Sequence, residues 1–355
     1  MNICNQINKK LNEDINDIVL NKYNKNENEM NLSLLNKQEL LQKCLELGIL
    51  KTSSKNKAQL IEMIQLKLNQ STIFEIIDDN DFQNTVLKPT STPTLRLKPL
   101  IKWSGGKSDE IKEFFKHLPP TYDTYLEPFI GGGSLFFHLA PLKAVISDVH
   151  KELIDLYTCI GSGKSKEIHE FMASSPNDEE TYYKIRDKME ITCSLDSAKR
   201  FYYQRKTSFR GMLRYNKNGK FNIPFGRYKS INYSELLNPN YEQLLARTTV
   251  LNQSFEYVFE NYNDANNFMF LDPPYDSEFT DYGYCQFGKE EQKRLADLFK
   301  ATKIKCLMII GKTKFIEELY AGYIVSEYDK KYKFKLYAGR VGDEINTKHL
   351  IIKNY

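Results

Sequence analysis

The chain has 355 residues, of which 41% are hydrophobic and 27% charged, a composition typical of a globular protein with one large domain and a smaller one. Its six cysteines and five histidines are dispersed without a C-x-x-C pair, which argues against a metal centre and against a disulfide framework. No apolar run approaches the roughly 20 residues of a membrane span, and the polar N-terminus lacks a signal core, so we expect an intracellular protein, cytoplasmic or nuclear, without a membrane partner.

The first 95 residues differ in texture from the rest of the chain. Residues 1–30 are rich in Asn, Lys and Glu and are expected to be disordered or weakly helical. Residues 31–69 contain one amphipathic helix ending at Gly48 and a second helix capped by Ser54 or Asn56. Two short helices with a Gly turn and a Lys-rich second start resemble a SAP-type DNA-binding module; the alternative is a helical hairpin docked on the main domain. Residues 70–95 are expected to be a linker.

From residue 96 to residue 355 strand patterns alternate with helix patterns. Strands are predicted at TYLEPFI, KAVISDV, NFMFL and IKCLMII, and a β-hairpin is predicted at the C-terminus. One long interruption, at about residues 165–240, is predicted to contain helices and turns around a basic segment. The pattern predicts a doubly wound α/β sheet that carries an inserted, mainly helical subdomain.

Two glycine-containing segments begin this region. Trp103, the only tryptophan, precedes two glycines and Lys107, a combination suited to a small zwitterion such as a methionine moiety. The segment is not a phosphate loop, because position 101 is Ile where that motif requires Gly. The second segment, Glu127–Ser134, places a glycine triplet at a strand-to-helix turn, where backbone can approach a ligand closely.

Asp148 ends the next predicted strand, 17 residues after Gly131. An acid at about this spacing typically holds a ribose diol, in either a dinucleotide or S-adenosylmethionine. An NAD-dependent oxidoreductase would require G-x-G-x-x-G, whereas the loop here is GGGSLF.

The segment from Ser197 to Ser234 holds ten basic residues and no acidic residue, although the whole chain carries a net charge of only +4. Half of the arginines and nine aromatic residues fall within it. Basic and aromatic side chains in alternation suit phosphate contacts, base-edge recognition and insertion into a base stack. The alternative is a solvated positive face whose aromatic residues are buried.

The tetrapeptide Asp272-Pro273-Pro274-Tyr275 follows a short apolar strand pattern. Asp272 offers a carboxylate acceptor, and the Pro273 carbonyl is free to accept while Pro274 fixes the turn. Tyr275 supplies a face on which a base can stack. Two fixed acceptors and an aromatic ring are suited to making an exocyclic amine nucleophilic, although Asp-Pro-Pro alone is also common turn chemistry.

Taken together, the segments resemble the Dam-type, D12 class of DNA adenine N6-methyltransferases. The matching blocks are KWSGGK, YLEPFIGGGSLFF, SDVHKEL, the AKRFYYQRKTSFRGMLRYNKNGKFNIPFGRY block and FLDPPYDSEFTDYGYCQFGKEEQKRLADL, which lie between residues 102 and 298 in the family's order. The resemblance implies a Rossmann-like S-adenosylmethionine-dependent methyltransferase sheet, S-adenosylmethionine as cofactor, no metal, and double-stranded DNA as partner. No obligatory protein partner is evident.

The resemblance also implies roles for individual residues. The target adenine would be held by Asp272, Pro273, Pro274 and Tyr275. The cofactor would be contacted by Trp103, Lys107, Glu127, Phe129, Gly131, Gly133, Asp148 and Asp272. DNA would be contacted by Arg205, Phe209, Arg210, Met212, Arg214, Asn216, Pro224 and Arg227. Within this set, Arg214 matches a guanine-reading position of GATC-specific members, Met212 and Pro224 match apolar base contacts, and Phe209 matches an aromatic wedge.

The sequence departs from the family pattern at three places. Arg210 stands where relatives often carry Asn, and Gly311-Lys312 stands where they often carry Ser-Asn. The N-terminal extension lies outside the core pattern. We therefore expect an adenine N6-methyltransferase for duplex DNA that flips its target base, with GATC as the favoured site. The alternatives are a cytosine N4, RNA or protein amide methyltransferase, or a DNA-binding scaffold without catalysis.

Overall fold

The computed structural model describes residues 35–46, 56–61, 64, 96–276, 287–331 and 346–355. The chain separates into two compact units, Met1–Pro89 and Thr90–Tyr355. Within the described ranges, no helix is both long enough and apolar enough to cross a membrane.

The smaller unit contains helix α1 (Lys37–Glu46) and a second helical stretch at residues 57–61. Both begin in the same way: the Asn36 side chain accepts the Glu39 N–H at 3.1 Å, and the Asn56 side chain accepts the Gln59 N–H at 3.0 Å. In each case the side chain of the residue three positions later accepts the backbone N–H of the asparagine, and the two hydrogen bonds together form a capping box. The buried residues of the two helices form one cluster: Leu40, Cys44, Leu60 and Ile64. The predicted cap at Gly48, the segment 1–30 and the linker 70–95 lie outside the described residues.

The larger unit is built on a seven-stranded sheet. Its strands are β1 (Tyr125–Glu127), β2 (Ala144–Ser147), β3 (Thr248–Leu251), β4 (Phe268–Leu271), β5 (Lys305–Gly311), β6 (Ile324–Lys331) and β7 (Asn346–Lys353). They lie in the order β3-β2-β1-β4-β5-β7-β6. The first five strands pair in parallel, and β7 is antiparallel to both β5 and β6. The chain thus winds outward in one direction from β1 and in the other from β4, which confirms the predicted doubly wound, Rossmann-like sheet.

Helices cover both faces of the sheet because the central strands are apolar on both sides. In β4, Phe268 and Phe270 enter one buried cluster, whereas Met269 and Leu271 enter the other. The helices of this unit are α2 (Ile111–Phe114), α3 (Ser134–Leu139), α4 (Lys151–Gly161), α5 (Ser165–Ser174), α6 (Glu179–Lys188), α7 (Ser194–Thr207), α8 (Pro239–Ala246), α9 (Phe255–Asn261), α10 (Lys289–Ala301) and α11 (Lys314–Leu319). Residues from α3, α4 and α8 join the first cluster, and residues from α9, α10 and α11 join the second.

The segment between β2 and β3 contains α4 to α8, as the interruption in the strand pattern predicts. Its buried residues on α5, α6 and α7 belong to the same cluster as α4, so the insert shares one continuous core with the first helical layer.

Two elements differ from the sequence-based expectation. Residues 248–251, for which no strand was predicted, form the edge strand β3, and the short helix α9 that follows was not predicted either. An edge strand of four residues with only Thr248 fully buried gives a weak periodic signal.

Candidate functional site

Three acidic residues meet at the edge of the sheet where the parallel strands end. Glu127 is the last residue of β1, and Asp148 and Asp272 directly follow β2 and β4. Because β2, β1 and β4 are adjacent and parallel, their carboxyl ends lie side by side. The crevice between β1 and β4 is the point where the winding of the sheet reverses, which is where doubly wound folds bind ligands.

Burial raises the pKa of all three carboxyls. Burial raises the pKa of Asp148 to about 6 although backbone N–H groups donate to it. Burial also raises the pKa of Glu127 well above its usual range, and the negative charges of Asp272 and Asp148 raise it further. The Tyr125 hydroxyl, which donates to Glu127 at 2.6 Å, acts in the opposite direction and lowers this pKa in part. The pKa of Asp272 is raised by burial and is partly returned by the Lys107 ammonium.

Lys107 forms an ion pair with one member of this group, Asp272. Its side chain is 2% exposed, and its Nζ lies 2.7 Å from one oxygen of Asp272 and 2.8 Å from the other. The same ammonium donates to the Gly105 carbonyl at 2.6 Å and lies 5.1 Å from the centre of the Tyr275 ring. The Ser134 hydroxyl accepts the Lys107 backbone N–H at 3.1 Å, which ties this segment to the start of α3.

The glycine triplet packs against Trp103. Gly131 has a φ of 43°, and a Cβ added there would lie 2.6 Å from the Trp103 Nε1, so only glycine fits. The Gly131 N–H donates to Asp148 Oδ2 at 3.0 Å, and the Tyr157 hydroxyl donates to the Gly131 carbonyl at 2.8 Å. Gly131 therefore adjoins two other cofactor candidates, Trp103 and Asp148.

The remaining cofactor candidates lie on the same turn. Gly133 has a φ of 67° and precedes α3. Phe129 is half-buried and stacks on Phe255 with ring centres 5.4 Å apart, while the edge of Phe287 lies 5.6 Å away. This aromatic group closes the side of the crevice formed by α9.

The Asp272–Tyr275 turn is held at several points by residues from other elements. Lys107 holds Asp272, and the Gln292 amide on α10 donates to the Pro274 carbonyl at 2.7 Å. The next residue, Asp276, accepts the Thr313 hydroxyl at 2.8 Å. Gln292 and Thr313 were missed in the sequence analysis because their positions carry no local motif.

A buried polar network lies behind the Tyr275 ring. The ring centres of His349 and Tyr275 lie 5.2 Å apart with the two planes nearly perpendicular, and His349 Nδ1 lies 2.7 Å from Glu110. Tyr328 and Lys330 also donate to Glu110. Burial would raise the pKa of Glu110, but the hydrogen bond from His349 and the charge of Lys107 outweigh it and lower that pKa to about 2. Glu110 therefore supplies a permanent negative charge that fixes the groups beside Tyr275.

Most predicted DNA-contacting residues lie on one basic loop, residues 208–225, which follows α7. The Ser208–Phe225 bridge joins the two ends of this loop, and the Tyr215–Phe221 bridge joins two residues within it. Five candidates are solvent-exposed and two are half-buried; the exposed ones are Phe209, Arg210, Arg214, Pro224 and Arg227, and the half-buried ones are Met212 and Asn216.

Local contacts shape this loop. The Phe209 N–H donates to the Pro224 carbonyl at 2.8 Å, which brings the predicted wedge beside a predicted base contact. Arg214 donates to the Asn222 side chain at 2.8 Å, and the Asn216 side chain accepts two backbone N–H groups of the turn that follows it. Arg227, just beyond the loop, forms an exposed ion pair with Glu179.

Arg205 differs from the other predicted DNA contacts because it is buried. It is only 2% exposed, donates to the Lys102 carbonyl, and lies with its guanidinium 5.7 Å from the centre of the Trp103 ring. Its side chain therefore joins α7 to the Trp103 segment, and a DNA contact at this position stays a prediction.

A directed chain of hydrogen bonds joins the Asp148 end of the site to the basic loop. His150 Nδ1 accepts the Leu153 N–H at 3.2 Å, so the neutral ring carries its proton on Nε2 and donates it to the Tyr215 hydroxyl at 2.7 Å. Tyr215 in turn donates to Glu152 at 2.9 Å. Burial lowers the pKa of His150 to about 4, which favours this neutral arrangement.

The sheet order and the acidic residues at the ends of β1, β2 and β4 define the Rossmann-like methyltransferase class. Residues 103–336 match the family model described as D12 class N6 adenine-specific DNA methyltransferase. The chain belongs to this family.

Named relatives agree with that assignment. The chain is 59% identical over 261 residues to the Type II methyltransferase M.CviBI of Paramecium bursaria Chlorella virus NC1A, a match that covers 73% of this chain and all of the relative. It is 32% identical to the Type II methyltransferase M.MjaIII of Methanocaldococcus jannaschii, over 74% of this chain and all of that relative. It is 30% identical to the DNA adenine methylase of Haemophilus influenzae, over 66% of this chain and 87% of that relative.

Proposed function

We propose that the crevice between β1 and β4 binds S-adenosylmethionine beside the Asp272–Tyr275 turn, and that this turn holds an adenine flipped out of duplex DNA. S-adenosylmethionine, when bound, supplies an electrophilic methyl group on a positively charged sulfur. The site suits such a donor because the three carboxyls, whose pKa values burial raises, gain from an added cation.

Within this proposal the residues at the ends of β1 and β2 bind the donor. Asp148 accepts the ribose hydroxyls through its carboxylate, and Glu127 faces the cationic end. Trp103 and the glycine triplet allow close approach of the backbone to the donor. Lys107 holds Asp272 in its ionised form between the donor and the target base.

The turn at the end of β4 activates the target amine. The Asp272 carboxylate and the Pro273 carbonyl accept the two hydrogens of the adenine amine, so the nitrogen lone pair becomes available for attack. A donor bound in the crevice would supply its methyl group to this nitrogen and keep the electron pair of the broken carbon–sulfur bond, and Asp272 or water would take the amine proton. Tyr275 offers its face for stacking of the flipped base, which offsets part of the cost of a few kcal/mol for extrusion.

The exposed residues of the basic loop provide the DNA contacts in this proposal. Arg214 reads guanine, Met212 and Pro224 contact bases, and Phe209 fills the gap left by the flipped base. Asn216 and Arg227 position the loop on the backbone, and the favoured recognition site is GATC. Exposure of Phe209 at 43% supports its role, since a large apolar side chain on a monomer's surface gains from insertion into a base stack.

For the smaller unit we propose a SAP-like module at residues 31–69. Its two capped helical starts and the shared cluster around Leu40 and Leu60 support a helical hairpin. Electrophoretic mobility shifts of duplex DNA with the full chain and with a Lys37→Glu/Lys57→Glu variant test whether it binds DNA; equal affinity would contradict a DNA contact there.

The observation that carries the main proposal is the meeting of the Asp272 turn and the Asp148–Gly131 contact at one edge of the sheet. The test uses duplex DNA and isotopically labelled S-adenosylmethionine, followed by digestion and mass spectrometry of the nucleosides. We expect labelled N6-methyladenine with the wild type, none with Asp272→Ala, and wild-type amounts with the exposed control Asp329→Ala. Label on cytosine N4 would replace adenine as the target, and cofactor binding without transfer to any DNA would indicate a scaffold. Mapping with methylation-sensitive restriction enzymes tests GATC.

A further inference from the structure

Gln292 is the only polar residue on the buried face of α10. That face otherwise consists of Leu295, Ala296 and Phe299, at the spacing expected for a helix packed on a core. Gln292 is 1% exposed, and its Oε1 has no hydrogen-bond partner among the residues that the structure describes. An unsatisfied buried acceptor costs about 1–3 kcal/mol, so stability alone would favour an apolar residue at this position.

The other end of the Gln292 amide contacts the turn that follows β4. Its Nε2 donates to the Pro274 carbonyl at 2.7 Å. Pro273 and Pro274 both lack a backbone N–H, so this part of the turn cannot be fixed by hydrogen bonds that it donates itself. A donor from outside must hold it through a carbonyl, and in the described structure that donor is Gln292.

Fixing the Pro274 carbonyl has consequences on both sides. It sets the plane of the peptide bond between Pro274 and Tyr275, and with it the direction in which the Tyr275 ring leaves the backbone. The preceding carbonyl, that of Pro273, accepts no hydrogen bond from the described residues. One carbonyl is thus held by α10, and the other is available to a ligand.

We propose that Gln292 is a positioning residue for methyl transfer, which acts through the Pro274 carbonyl to aim the Pro273 carbonyl and the Tyr275 ring at the extruded adenine. The inference rests on the proposed function, because it assumes that the Asp272–Tyr275 turn holds the target base. Gln292 itself touches neither the donor nor the base.

Three variants test this. Gln292→Met keeps the length of the side chain and removes the donor. Gln292→Glu keeps the shape, but it donates to the carbonyl only when the carboxyl is protonated. Lys293→Met, on the exposed side of the same turn of α10, is the matched control. The measurements are single-turnover methylation rates at saturating DNA and donor, the dissociation constant of S-adenosylmethionine, and the thermal unfolding temperature, at several pH values from 6 to 8.

We expect Gln292→Met to lower the rate about ten- to a hundredfold while the dissociation constant of the donor stays within about twofold, since misplaced acceptors affect the reacting geometry and not donor binding. The ratio of the Gln292→Glu rate to the Gln292→Met rate should rise as the pH falls, because protonation restores the hydrogen bond. That ratio cancels the titrations that both variants share. Lys293→Met should retain the wild-type rate.

The inference is overturned if folded Gln292→Met transfers methyl groups at the wild-type rate, or if the ratio of the two variants does not change with pH. Should Gln292→Met fail to fold, Gln292→Glu at low and high pH decides alone: a rate that does not recover toward the wild type at low pH also overturns it. Asp272→Ala is measured in parallel. An active Asp272→Ala would remove the proposed function itself, whereas an inactive Asp272→Ala beside an active Gln292→Met would remove only the role of Gln292.

Discussion

The raised pKa of Asp148 predicts that S-adenosylmethionine binds more weakly as the pH falls. Burial raises this pKa from an ordinary value near 3.8 to about 6 in the free protein. If the carboxylate accepts two ribose hydroxyls, the complex favours the ionised form and binding releases a proton. Affinity is then nearly full at pH 7, falls to about half near pH 6 and declines further below it.

The magnitude follows from the size of the shift. With a pKa of about 6, roughly nine-tenths of the Asp148 carboxyls are ionised at pH 7 and roughly one-tenth at pH 5. We therefore expect the affinity to fall about tenfold between these values, or ~1.4 kcal/mol. Asp148→Asn should bind more weakly at pH 7 and should lose most of the pH dependence.

Quenching of Trp103 fluorescence, from the only tryptophan, or isothermal titration calorimetry measures the affinity at pH 7, 6 and 5. Calorimetry in buffers of different ionisation enthalpy also counts the released proton. Asp155→Asn is the matched control, because this buried acid on α4 pairs with Lys151 at 2.8 Å and should leave both the affinity and its slope unchanged. A flat affinity in the wild type, or an equal slope in Asp148→Asn, would refute the reasoning.

Three further predictions concern the same domain. Gly131→Ala should lower the free energy of unfolding by about 3 kcal/mol, since a Cβ there meets Trp103 Nε1 at 2.6 Å. The control Gly322→Ala, with a φ of 86° and no atom within 4 Å, should lower it by about 1–2 kcal/mol, and urea unfolding measures both. Arg210→Asn should stabilise the fold by about 0.5–1 kcal/mol, because Arg210 has a φ of 56°; thermal unfolding checks this. If the Arg210 charge contacts phosphate, the same variant should also make the slope of log DNA affinity against log salt concentration shallower by about 0.9, which a salt titration checks. The pKa of His150 is lowered from 6.5 to about 4, so the neutral ring's contribution to the free energy of unfolding is complete above pH 6.5 and is lost as the pH falls toward 4. The wild type should lose about 2 kcal/mol of stability between pH 7 and pH 5, whereas His150→Asn, which can still cap α4, should not. Equal losses of the two proteins in urea unfolding would contradict this.

The convergence of Asp148 and Asp272 could be predicted from the sequence because each acid follows an apolar strand pattern. Once the strands are parallel and adjacent, residues just beyond their carboxyl ends must lie at one edge. The fold class follows from the same alternation of periods. These predictions need only local patterns and one topological rule.

The supports of the turn could not be predicted in this way. Glu110 and His349 are 239 residues apart and meet only because β7 inserts between β5 and β6, a pairing that no local pattern specifies. Gln292 occupies an ordinary core position of an amphipathic helix, so only its polarity within an apolar stripe distinguishes it. That polarity was available in the sequence, but its partner, a proline carbonyl, has no sequence signature.

The burial of Arg205 was not predicted. The sequence analysis named it together with residues of the basic segment, but α7 also carries the buried Phe201, Tyr202 and Tyr203. Composition over a window averages the faces of a helix, whereas burial alternates within it. The helical period of the apolar residues in α7, applied to each arginine separately, would have assigned Arg205 to the core.

Two of the places where the chain departs from its family's pattern have a local structural meaning. Arg210 adopts a left-handed conformation, which asparagine tolerates better than arginine. The strain of about 1–2 kcal/mol at arginine is then compensated only if its charge contributes elsewhere. At Gly311 a Cβ would lie 3.2 Å from the Tyr275 ring, so a serine there must shift that ring by a few tenths of an ångström. Both departures thus lie beside residues to which the proposed function gives a contact with DNA. Arg210 is next to the wedge residue Phe209, and Gly311 packs against the ring of the stacking residue Tyr275. Differences between relatives in site preference or rate should therefore depend on these two contacts more than on the acidic cluster.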